Sequence, residues 1–425
     1  MSQTEMQHTD SLSSNDNGAE DTKKTKSKRP ANTAFRQQRL KAWQPILTPK
    51  TVLPLFFAVG VIFAPIGGLL IWASAEVEEI SIDYTDCLNK SPVDSSNSTF
   101  PPSARTFEDV PTDRVSSYFK ASNPSALAPS WAHSFQNVTF DTNQEEPYNA
   151  TICSIQFEIE NEIGPPVLLY YRLTNFYQNH RRYVKSEDPS QLQGTFRSNS
   201  SISGSDCDPL KLDSNGKAYY PCGLIANSVF NDTFSQLTRL NPASGQSDYY
   251  NMTKKGIAWD SDKDLFKKTA YTNDQVSPPP NWKTRYPLGY TEENPIPDIS
   301  QDEGFMVWMR TAGLPTFSKL AMRNDNESMT VARYQIDIQD NFNVTAYGGT
   351  KSILISTRTV MGGKNPFLGI AYVVVGGICI VLGTLFTATH LIKPRKLGDH
   401  TYLTWNNEGP NTATATGRSM RPGEA

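Results

Sequence analysis

An uncharged apolar run near the C-terminal end of the sequence limits the fold more than any other feature. Residues 366–392 contain no Asp, Glu, Lys or Arg, and the nearest charges are Lys364 before the run and Lys393 after it. A bilayer core of about 30 Å requires about 20 apolar helical residues, so this run is long enough to cross it. Because backbone groups inside a bilayer have no water to bind, the run is predicted to be a helix.

A second uncharged run, residues 51–75, lies near the N-terminus. It begins too far from Met1, and is too long, for a cleaved signal peptide, so it is predicted to be a signal anchor. Basic residues precede the first run and follow the second, whereas acidic residues such as Glu76 and Glu79 follow the first. By the positive-inside rule, both tails are expected in the cytosol and the middle of the chain on the lumenal side.

The two runs divide the chain into six expected regions. They are a disordered cytosolic tail (1–32), a cytosolic juxtamembrane segment (33–50), the first transmembrane helix (51–75), a lumenal ectodomain (76–365), the second transmembrane helix (366–392) and a cytosolic C-terminal tail (393–425). The mean hydropathy of −0.48 is that of a mainly water-exposed chain rather than a polytopic transporter. The net charge of −3 gives no sign of a nucleic-acid partner.

N-glycosylation sequons give independent support for this topology. All of them lie between the two runs, at Asn89, Asn97, Asn137, Asn149, Asn199, Asn231, Asn251, Asn326 and Asn343. Each is predicted to carry a glycan on a solvated surface, because a sequon is used only on the lumenal side.

The cysteines agree with an oxidising compartment. Of the 5 cysteines, Cys379 lies inside the second run, and the others are Cys87, Cys153, Cys207 and Cys222. These four are expected to form two disulfides, for which spacing alone allows three connectivities.

Hydrophobic alternation predicts antiparallel strands with one wet face in the ectodomain, over residues 155–160, 334–339, 342–347 and 352–356. Helices are predicted over residues 173–180 and 315–322, and the Pro-rich stretch 278–297 is expected to be an ordered, packed loop. The expected fold is therefore a two-pass membrane protein. It has two transmembrane α-helices and a large lumenal α+β ectodomain rich in antiparallel sheet, with short helices and long loops.

Small residues recur every four positions in both apolar runs. Gly60, Ala64 and Gly68 share one face of the first predicted helix, and Cys379, Gly383 and Thr387 share one face of the second. Such faces allow another helix to approach closely. They could pair with each other or receive a third, external helix, and the spacing leaves both possibilities open. Two prolines in the first run, Pro54 and Pro65, are expected to kink or open its helix.

The juxtamembrane segment mixes aromatic and basic residues, among them Arg36, Arg39, Trp43 and Pro45. An interfacial segment with Trp43 at headgroup depth is one interpretation. The other is a docking segment for a cytosolic partner.

Motifs for catalysis are scarce. The region between the runs holds only His133 and His180, with no H-E-x-x-H or G-x-S-x-G motif, and Asp260, Asp262 and Asp264 do not continue as a calcium loop. No Walker loop and no D-K-T-G sequence occur, so no cofactor or metal site is expected. The chain is predicted not to be an enzyme. The alternatives are a membrane-tethered ectodomain enzyme, such as a glycan hydrolase, or a receptor acting on its own.

Seven segments, spread over residues 32–406, carry a resemblance to one known family. They are NTAFRQQRLKAWQPILTP from Asn32, YYRLTNFYQNHRRYVKS from Tyr170, PCGLIANSVFNDTF from Pro221, GIAWDSDK from Gly256, FMVWMRTAGLPTFSKL from Phe305, GGKNPFLGIAYVVVGG from Gly362 and LGDHTYLTWN from Leu397. In them the chain resembles the cell-division-control protein 50 / ligand-effect modulator 3 family, the beta subunits of type IV P-type ATPase phospholipid flippases. The four lumenal cysteines are similar to the fungal pattern.

The resemblance implies a non-catalytic subunit that forms a heterodimer with one ATPase alpha subunit, whose lumenal loops it covers. It also implies that the subunit is needed for exit from the ER towards the Golgi, endosomes or plasma membrane. The complex would move membrane phospholipids from the lumenal or outer leaflet to the cytosolic leaflet, with ATP hydrolysed on the alpha subunit.

The resemblance further implies the disulfides Cys87–Cys153 and Cys207–Cys222. In the loop-entropy model, closure of the loop by the second disulfide would stabilise the fold by roughly 3 kcal/mol. The resemblance also favours partner docking over mere anchoring for residues 36–45. It favours a partly partner-facing role for Gly60, Ala64 and Gly68.

Overall fold

A computed structural model of the protein describes residues 33–35, 38–40, 48–93, 106–121, 125–138, 148–242, 247–357 and 364–394. Two compact units result: Phe56–Thr384, which holds the ectodomain and most of both long helices, and the segments Met1–Leu55 and Leu385–Ala425.

The described chain contains long terminal helices, strands and short helices. In order they are α1 (Pro49–Ala75), β1 (Glu79–Asp83), α2 (Cys87–Lys90), β2 (Glu108–Asp109), β3 (Val115–Tyr118), β4 (Ser130–Val138), β5 (Tyr148–Ile159), β6 (Val167–Leu173), α3 (Arg181–Lys185), α4 (Pro189–Leu192), α5 (Asn199–Ser203), β7 (Ala218–Tyr219), α6 (Leu224–Asn227), β8 (Thr233–Phe234), β9 (Leu237–Arg239), β10 (Tyr249–Tyr250), α7 (Asp260–Lys263), β11 (Val276–Ser277), α8 (Glu303–Met309), β12 (Phe317–Asn324), β13 (Ala332–Gln339), β14 (Lys351–Ser356) and α9 (Phe367–Ile392).

The two long helices, α1 and α9, are apolar and mostly uncovered. Their most apolar windows have mean hydropathies of 2.3 and 2.4, and only 11% and 17% of those windows are buried. A soluble protein would bury such surfaces, so the chain is a two-pass membrane protein, as the sequence predicts. The first helix runs through Pro54 and Pro65 without interruption.

Two antiparallel sheets build the ectodomain. One has the strand order β12-β6-β14-β1-β3, and the other has the order β10-β9-β13-β5-β4-β2 with β8 beside β13. Between them lies a core of fully or nearly buried apolar side chains: Ile80, Ile82, Ile155, Phe157, Ile159, Val167, Leu169, Tyr334, Ile336, Ile338, Ile353 and Ile355. The predicted alternation in residues 155–160 and 334–339 is confirmed, and so is the strand at 352–356.

A second core packs short helices and loops against one end of the five-stranded sheet. Strand β6 serves both cores with one face, because Val167 and Leu169 enter the first and Tyr171 and Leu173 enter the second. The predicted packing of the loop at 278–297 is confirmed: Tyr286 and Tyr290 are buried there, and Trp282 packs beside them.

Three local predictions are wrong. Residues 342–347 are not a strand, because the Asn343 side chain accepts hydrogen bonds from the amides of Thr345 and Ala346 and closes a single 3-10 turn. Residues 173–180 are not a helix: Leu173 ends β6, and helix α3 begins only at Arg181.

The segment 315–322 is not a helix either. Phe317 starts strand β12, which pairs along β6 from Leu173 to Val167. Its local helical pattern is overridden by this long-range pairing, since strand formation depends mainly on the surface that receives it.

The expectation of a wet face also needs correction for the seven-stranded sheet. Gln156 and Gln335, on the face away from the core, are 7% and 2% exposed and hydrogen-bond to each other at 3.1 Å. Arg333 donates to Gln156 and to Ser130 on the neighbouring strands. Several polar groups on this face are therefore held by cross-strand hydrogen bonds, although Arg333 Nη1 is buried without a hydrogen-bond partner among the described residues.

A buried ion cluster lies where the strands β1 and β14 meet the loop after β13. The Lys351 ammonium donates to Asp232 at 2.7 Å, to Asp340 at 2.6 Å and to the Phe342 carbonyl at 2.8 Å. Asp232 also accepts from the Tyr84 hydroxyl at 2.9 Å. Burial raises the pKa of Asp340, although the charge of Lys351 opposes that effect.

A second buried lysine closes the C-terminal end of α8. Lys319 donates to the carbonyls of Val307, Trp308 and Arg310 at 2.8, 2.6 and 2.7 Å. These acceptors include carbonyls left without partners at a helix end. Burial and the positive charge of Arg310 lower the pKa of Lys319 to about 7.

Candidate partner-binding surfaces

The two membrane helices pack against each other through small residues spaced seven apart. The buried positions are Gly60, Gly67 and Ser74 on α1 and Gly369, Gly376 and Gly383 on α9. A Cβ on Gly67 would lie 2.8 Å from the Gly369 carbonyl, and a Cβ on Gly376 would lie 3.0 Å from the Ala64 amide nitrogen. A seven-residue repeat keeps one seam facing the other helix, as in left-handed helix pairs.

The predicted four-residue faces are therefore used only in part for this packing. Gly60 and Ala64 face α9, whereas a Cβ on Gly68 would meet no atom of the described residues within 4 Å. Their role towards an external partner stays a prediction, and Gly68 is the one that the helix pair leaves open. Sequence reasoning missed Gly67, Gly369 and Gly376; the seven-residue spacing of glycines was the signal that could have found them.

The ectodomain ends of the helices are tied to one another and to the sheet. The Asn365 amide donates to the Ser74 hydroxyl at 3.0 Å. Glu78, three residues after α1, accepts from the Lys120 amide and from the Asn161 side chain at 3.2 and 2.9 Å. Lys120 pairs with Glu76 at 2.6 Å. These contacts hold the short segment between α1 and β1 in place.

In the five-stranded sheet, one residue from each strand lies in a row at the end of the sheet that is nearest to the membrane helices. Strand pairing aligns Tyr118 of β3, Glu79 of β1, Ser356 of β14, Leu168 of β6 and Arg323 of β12. We call this set the membrane-proximal row. It places Tyr118 and Arg323 at opposite edges, about 19 Å apart for four strand spacings. The Lys364 ammonium, just before α9, lies 2.8 Å from the centre of the Tyr118 ring.

The juxtamembrane segment is only partly described. Arg36, Trp43 and Pro45 lie outside the described residues. Arg39 is exposed, and its amide donates to the Ala34 carbonyl at 2.7 Å. A docking role for this segment stays a prediction.

The structure pairs the four ectodomain cysteines as the resemblance implies. Cys87 bonds to Cys153 with a Cα–Cα distance of 6.1 Å, and Cys207 bonds to Cys222 with a distance of 5.7 Å. The first disulfide joins α2 to β5 in the core between the sheets. The second lies in the core of the helix-and-loop region.

All predicted glycosylation sites with described side chains are exposed: Asn89, Asn199, Asn231, Asn251, Asn326 and Asn343. Asn97 lies outside the described residues. For Asn137 and Asn149 only the backbone is described, and these two residues are directly paired across β4 and β5. Exposure is what a glycan requires, and occupancy of the sites stays a prediction.

Sequons that are distant in sequence are neighbours in space. Asn324 donates from its side chain to the Asn251 carbonyl at 2.9 Å and accepts from the Asn326 amide at 3.0 Å. The side chain of Asn341, which lies two residues before Asn343, donates to the Asn231 carbonyl at 3.1 Å. The first of these pairs, Asn251 with Asn326, lies at the β12 end of the membrane-proximal row.

The histidines do not form a catalytic group. His133 is buried and its Nδ1 lies 3.0 Å from the Ser91 hydroxyl, but Ser91 donates to the Cys87 carbonyl, and no described carboxylate hydrogen-bonds to the imidazole. His180 caps α3 by accepting from the Arg182 amide. Among the described residues, no group of three or more His, Cys, Asp or Glu side chains is placed to hold a metal ion.

Comparisons with known proteins agree with these observations. The LEM3 (ligand-effect modulator 3) family / CDC50 family matches residues 70–396. The phospholipid-transporting ATPase accessory subunit CDC50 of Chaetomium thermophilum is 43% identical over 399 residues, covering 92% of this chain and 94% of that protein.

Two proteins of Saccharomyces cerevisiae are also similar. The phospholipid-transporting ATPase accessory subunit CRF1 is 43% identical over 386 residues, covering 90% of each chain. The accessory subunit LEM3 is 38% identical over 387 residues, covering 90% of this chain and 88% of that protein.

Proposed function

This chain belongs to the LEM3/CDC50 family, and from that premise we propose that it is the non-catalytic accessory subunit of a P4-type phospholipid-transporting ATPase. The observation that carries the proposal is the extent of the similarity. It spans both membrane helices and the whole ectodomain of relatives named as accessory subunits of such ATPases. A similarity over 90–92% of the chain supports a shared role better than a shared motif would.

The architecture of the chain supports dependence on a partner. Helices α1 and α9 carry no Asp, Glu, Lys or Arg between Thr51 and Ala75 or between Phe367 and Ile392. Residues of these types usually mark ion and substrate routes in membranes. Most of the surface of both helices is uncovered, as a protein that packs beside a larger membrane subunit requires.

In this proposal the energy-consuming chemistry belongs to the catalytic alpha subunit. The chain assists assembly, exit from the ER and ATP-driven movement of phospholipid from the lumenal or outer leaflet to the cytosolic leaflet. Both termini are cytosolic, and the complex resides in Golgi, endosomal or plasma membranes. The basic residues beside the cytosolic ends of the helices and the confinement of sequons to the middle region support this orientation.

The proposal is tested by purifying the tagged chain from its native membranes in a mild detergent. A stoichiometric large subunit, identified by mass spectrometry as a P-type ATPase, is the expected result. Recovery of the chain alone, or with partners that contain no ATPase, would contradict the proposal. Glycan or ester hydrolysis by the same preparation without such a subunit would instead favour an ectodomain enzyme.

A further inference from the structure

The two edges of the membrane-proximal row differ in what they present to solvent. At the β12 edge, Thr253 exchanges two backbone hydrogen bonds with Arg323, at 2.8 and 2.9 Å. Thr253 is the third residue of the sequon that begins at Asn251, and the second sequon, at Asn326, follows β12 directly. This edge is therefore bridged at Arg323 and flanked by two exposed glycan acceptors.

The opposite edge has no further strand beside it in the part of the chain that the structure describes. Strand β3 ends the five-stranded sheet and pairs only with β1 among the described strands. Its residues Ser116, Ser117 and Tyr118 are exposed, and we call them the β3 edge surface. An edge strand presents unpaired backbone groups that can bind a further extended segment.

One described sequon that is connected to β3 through an ion pair lies away from this surface. It begins at Asn89 in α2, and the residue before α2, Asp86, pairs with Arg114. Arg114 precedes the end of β3 that is opposite to Tyr118, so the pair connects α2 to the membrane-distal end of the strand.

The β3 edge surface also lies at the entrances of both membrane helices. Tyr118 contacts Lys364, three residues before α9, and Lys120 pairs with Glu76, immediately after α1. A membrane partner that packs beside these helices emerges on the lumenal side close to this surface. The glycan pair at Asn251 and Asn326 lies at the other edge, about 19 Å away by strand spacing.

We propose that the β3 edge surface is the docking site for a lumenal segment of the ATPase large subunit, and that the β12 edge faces solvent. The inference rests on the proposed function. Two observations support this occupant: the surface is continuous with the helix entrances, and the opposite edge is flanked by two exposed glycan acceptors. Bulky glycans keep the surfaces that carry them in contact with water.

A single substitution can place a glycan at this site. Lys120→Asn creates an N-x-S sequon over residues 120–122, because Ala121 and Ser122 already follow. The new acceptor would lie within about 7 Å of Tyr118 along the chain. Lys120 itself lies beside the β3 edge surface rather than in it, and its exposed pair with Glu76 contributes little to stability. The glycosylated variant is expected to lose large-subunit capture by about tenfold or more, because a glycan inside an interface removes several contacts at once.

The matched control is Lys120→Gln, which removes the same charge without creating a sequon and should capture the large subunit normally. Asn326→Gln removes a glycan from the solvent-facing edge and should also capture it normally. Any unglycosylated fraction of Lys120→Asn is an internal control that should be recovered with the large subunit. If residue 120 is not modified at all, the double variant Tyr118→Asn, Lys120→Thr moves the sequon to residue 118.

Glycosidase treatment of each variant shows which asparagine is modified. Normal capture by a glycosylated variant would overturn the docking site while leaving the proposed function intact. Loss of capture in Asn326→Gln with an intact fold would also overturn it, because the solvent-facing edge would then belong to the interface. Failure of the unsubstituted chain to capture an ATPase would instead contradict the proposed function itself.

Discussion

The Lys351 ammonium lies 2.7 Å from the Asp232 carboxylate, and the two side chains are 2% and 0% exposed. The contact joins β14, which leads towards the second membrane helix, to the residue just before β8, which is distant in sequence. Two buried charges in direct contact are stable only while both are present, since each alone would be an uncompensated charge in a low dielectric.

Lys351→Met should therefore destabilise the ectodomain by about 3–5 kcal/mol, the usual cost of breaking a buried pair from one side. The shift in the unfolding midpoint of the purified chain measures this loss. Lys267→Met is the control, because Lys267 pairs with Asp264 at an exposed site and its loss should cost less than about 1 kcal/mol. Equal midpoints for the two variants would show that the cluster around Lys351 does not stabilise the fold.

Lys319 predicts a pH dependence of stability. Its pKa falls to about 7 in the folded chain, whereas an unfolded lysine titrates near 10.4. Between these values the unfolded chain binds a proton that the folded chain releases, so stability should rise with pH through that window. The wild type should gain stability relative to Lys319→Met between about pH 7 and pH 9.

Lys254→Met is the control for the pH series, because Lys254 is exposed and is not among the contacts of Lys319. Its difference from the wild type should stay constant with pH. A constant difference for Lys319→Met as well would contradict the lowered pKa and would mean that the carbonyls of α8 hold Lys319 charged throughout.

The two neighbouring glycines of α1 should respond differently to the same change. Gly67→Leu must displace α9, because even a Cβ would lie 2.8 Å from the Gly369 carbonyl, and overpacking of this kind costs about 1–3 kcal/mol. A Cβ on Gly68 would meet no described atom within 4 Å, so Gly68→Leu should leave the unfolding midpoint unchanged.

If Gly68 contacts the partner, Gly68→Leu should reduce capture of the large subunit although the chain itself is stable. Capture and unfolding midpoint are measured on the same preparations. Normal capture by Gly68→Leu would remove Gly68 from the predicted partner surface. An unchanged midpoint for Gly67→Leu would mean that the glycine seam is not the contact that holds the helices together.

The orientation of the chain can be tested with one new sequon in each tail. Ala34→Thr completes a sequon that begins at Asn32, and Ala413→Thr completes one that begins at Asn411. Both should stay unmodified, because a cytosolic asparagine does not meet the glycosylation machinery. Asn326→Gln is the positive control and should lose one glycan by gel shift. A glycan on either tail would contradict the two-pass topology.

Local patterns in the sequence predicted the parts of the fold that local physics determines. Charge-free length predicted both membrane helices, and alternation predicted the strands around Phe157 and Ile336 because one face of each meets the core. Much of Phe317–Asn324 was predicted as a helix because its pairing with β6 bridges more than a hundred residues, which no local pattern reports.

The candidate surfaces were less predictable for the same reason. The sequence indicated small-residue faces, but only the helix pairing separates Gly67, which meets α9, from Gly68, which does not. The sequence shows each sequon as a separate local motif. Their spatial pairing through Asn324 and Asn341, and the open edge at Tyr118, depend on strand order and register, which the sequence alone did not supply.

Reconstitution tests the central claim most directly. The purified chain, the captured large subunit and their complex are each placed in vesicles that contain a labelled phospholipid, and its loss from the outer leaflet is followed with and without ATP. The account predicts ATP-dependent translocation by the complex and none by this chain alone. Translocation or nucleotide hydrolysis by this chain alone would contradict it.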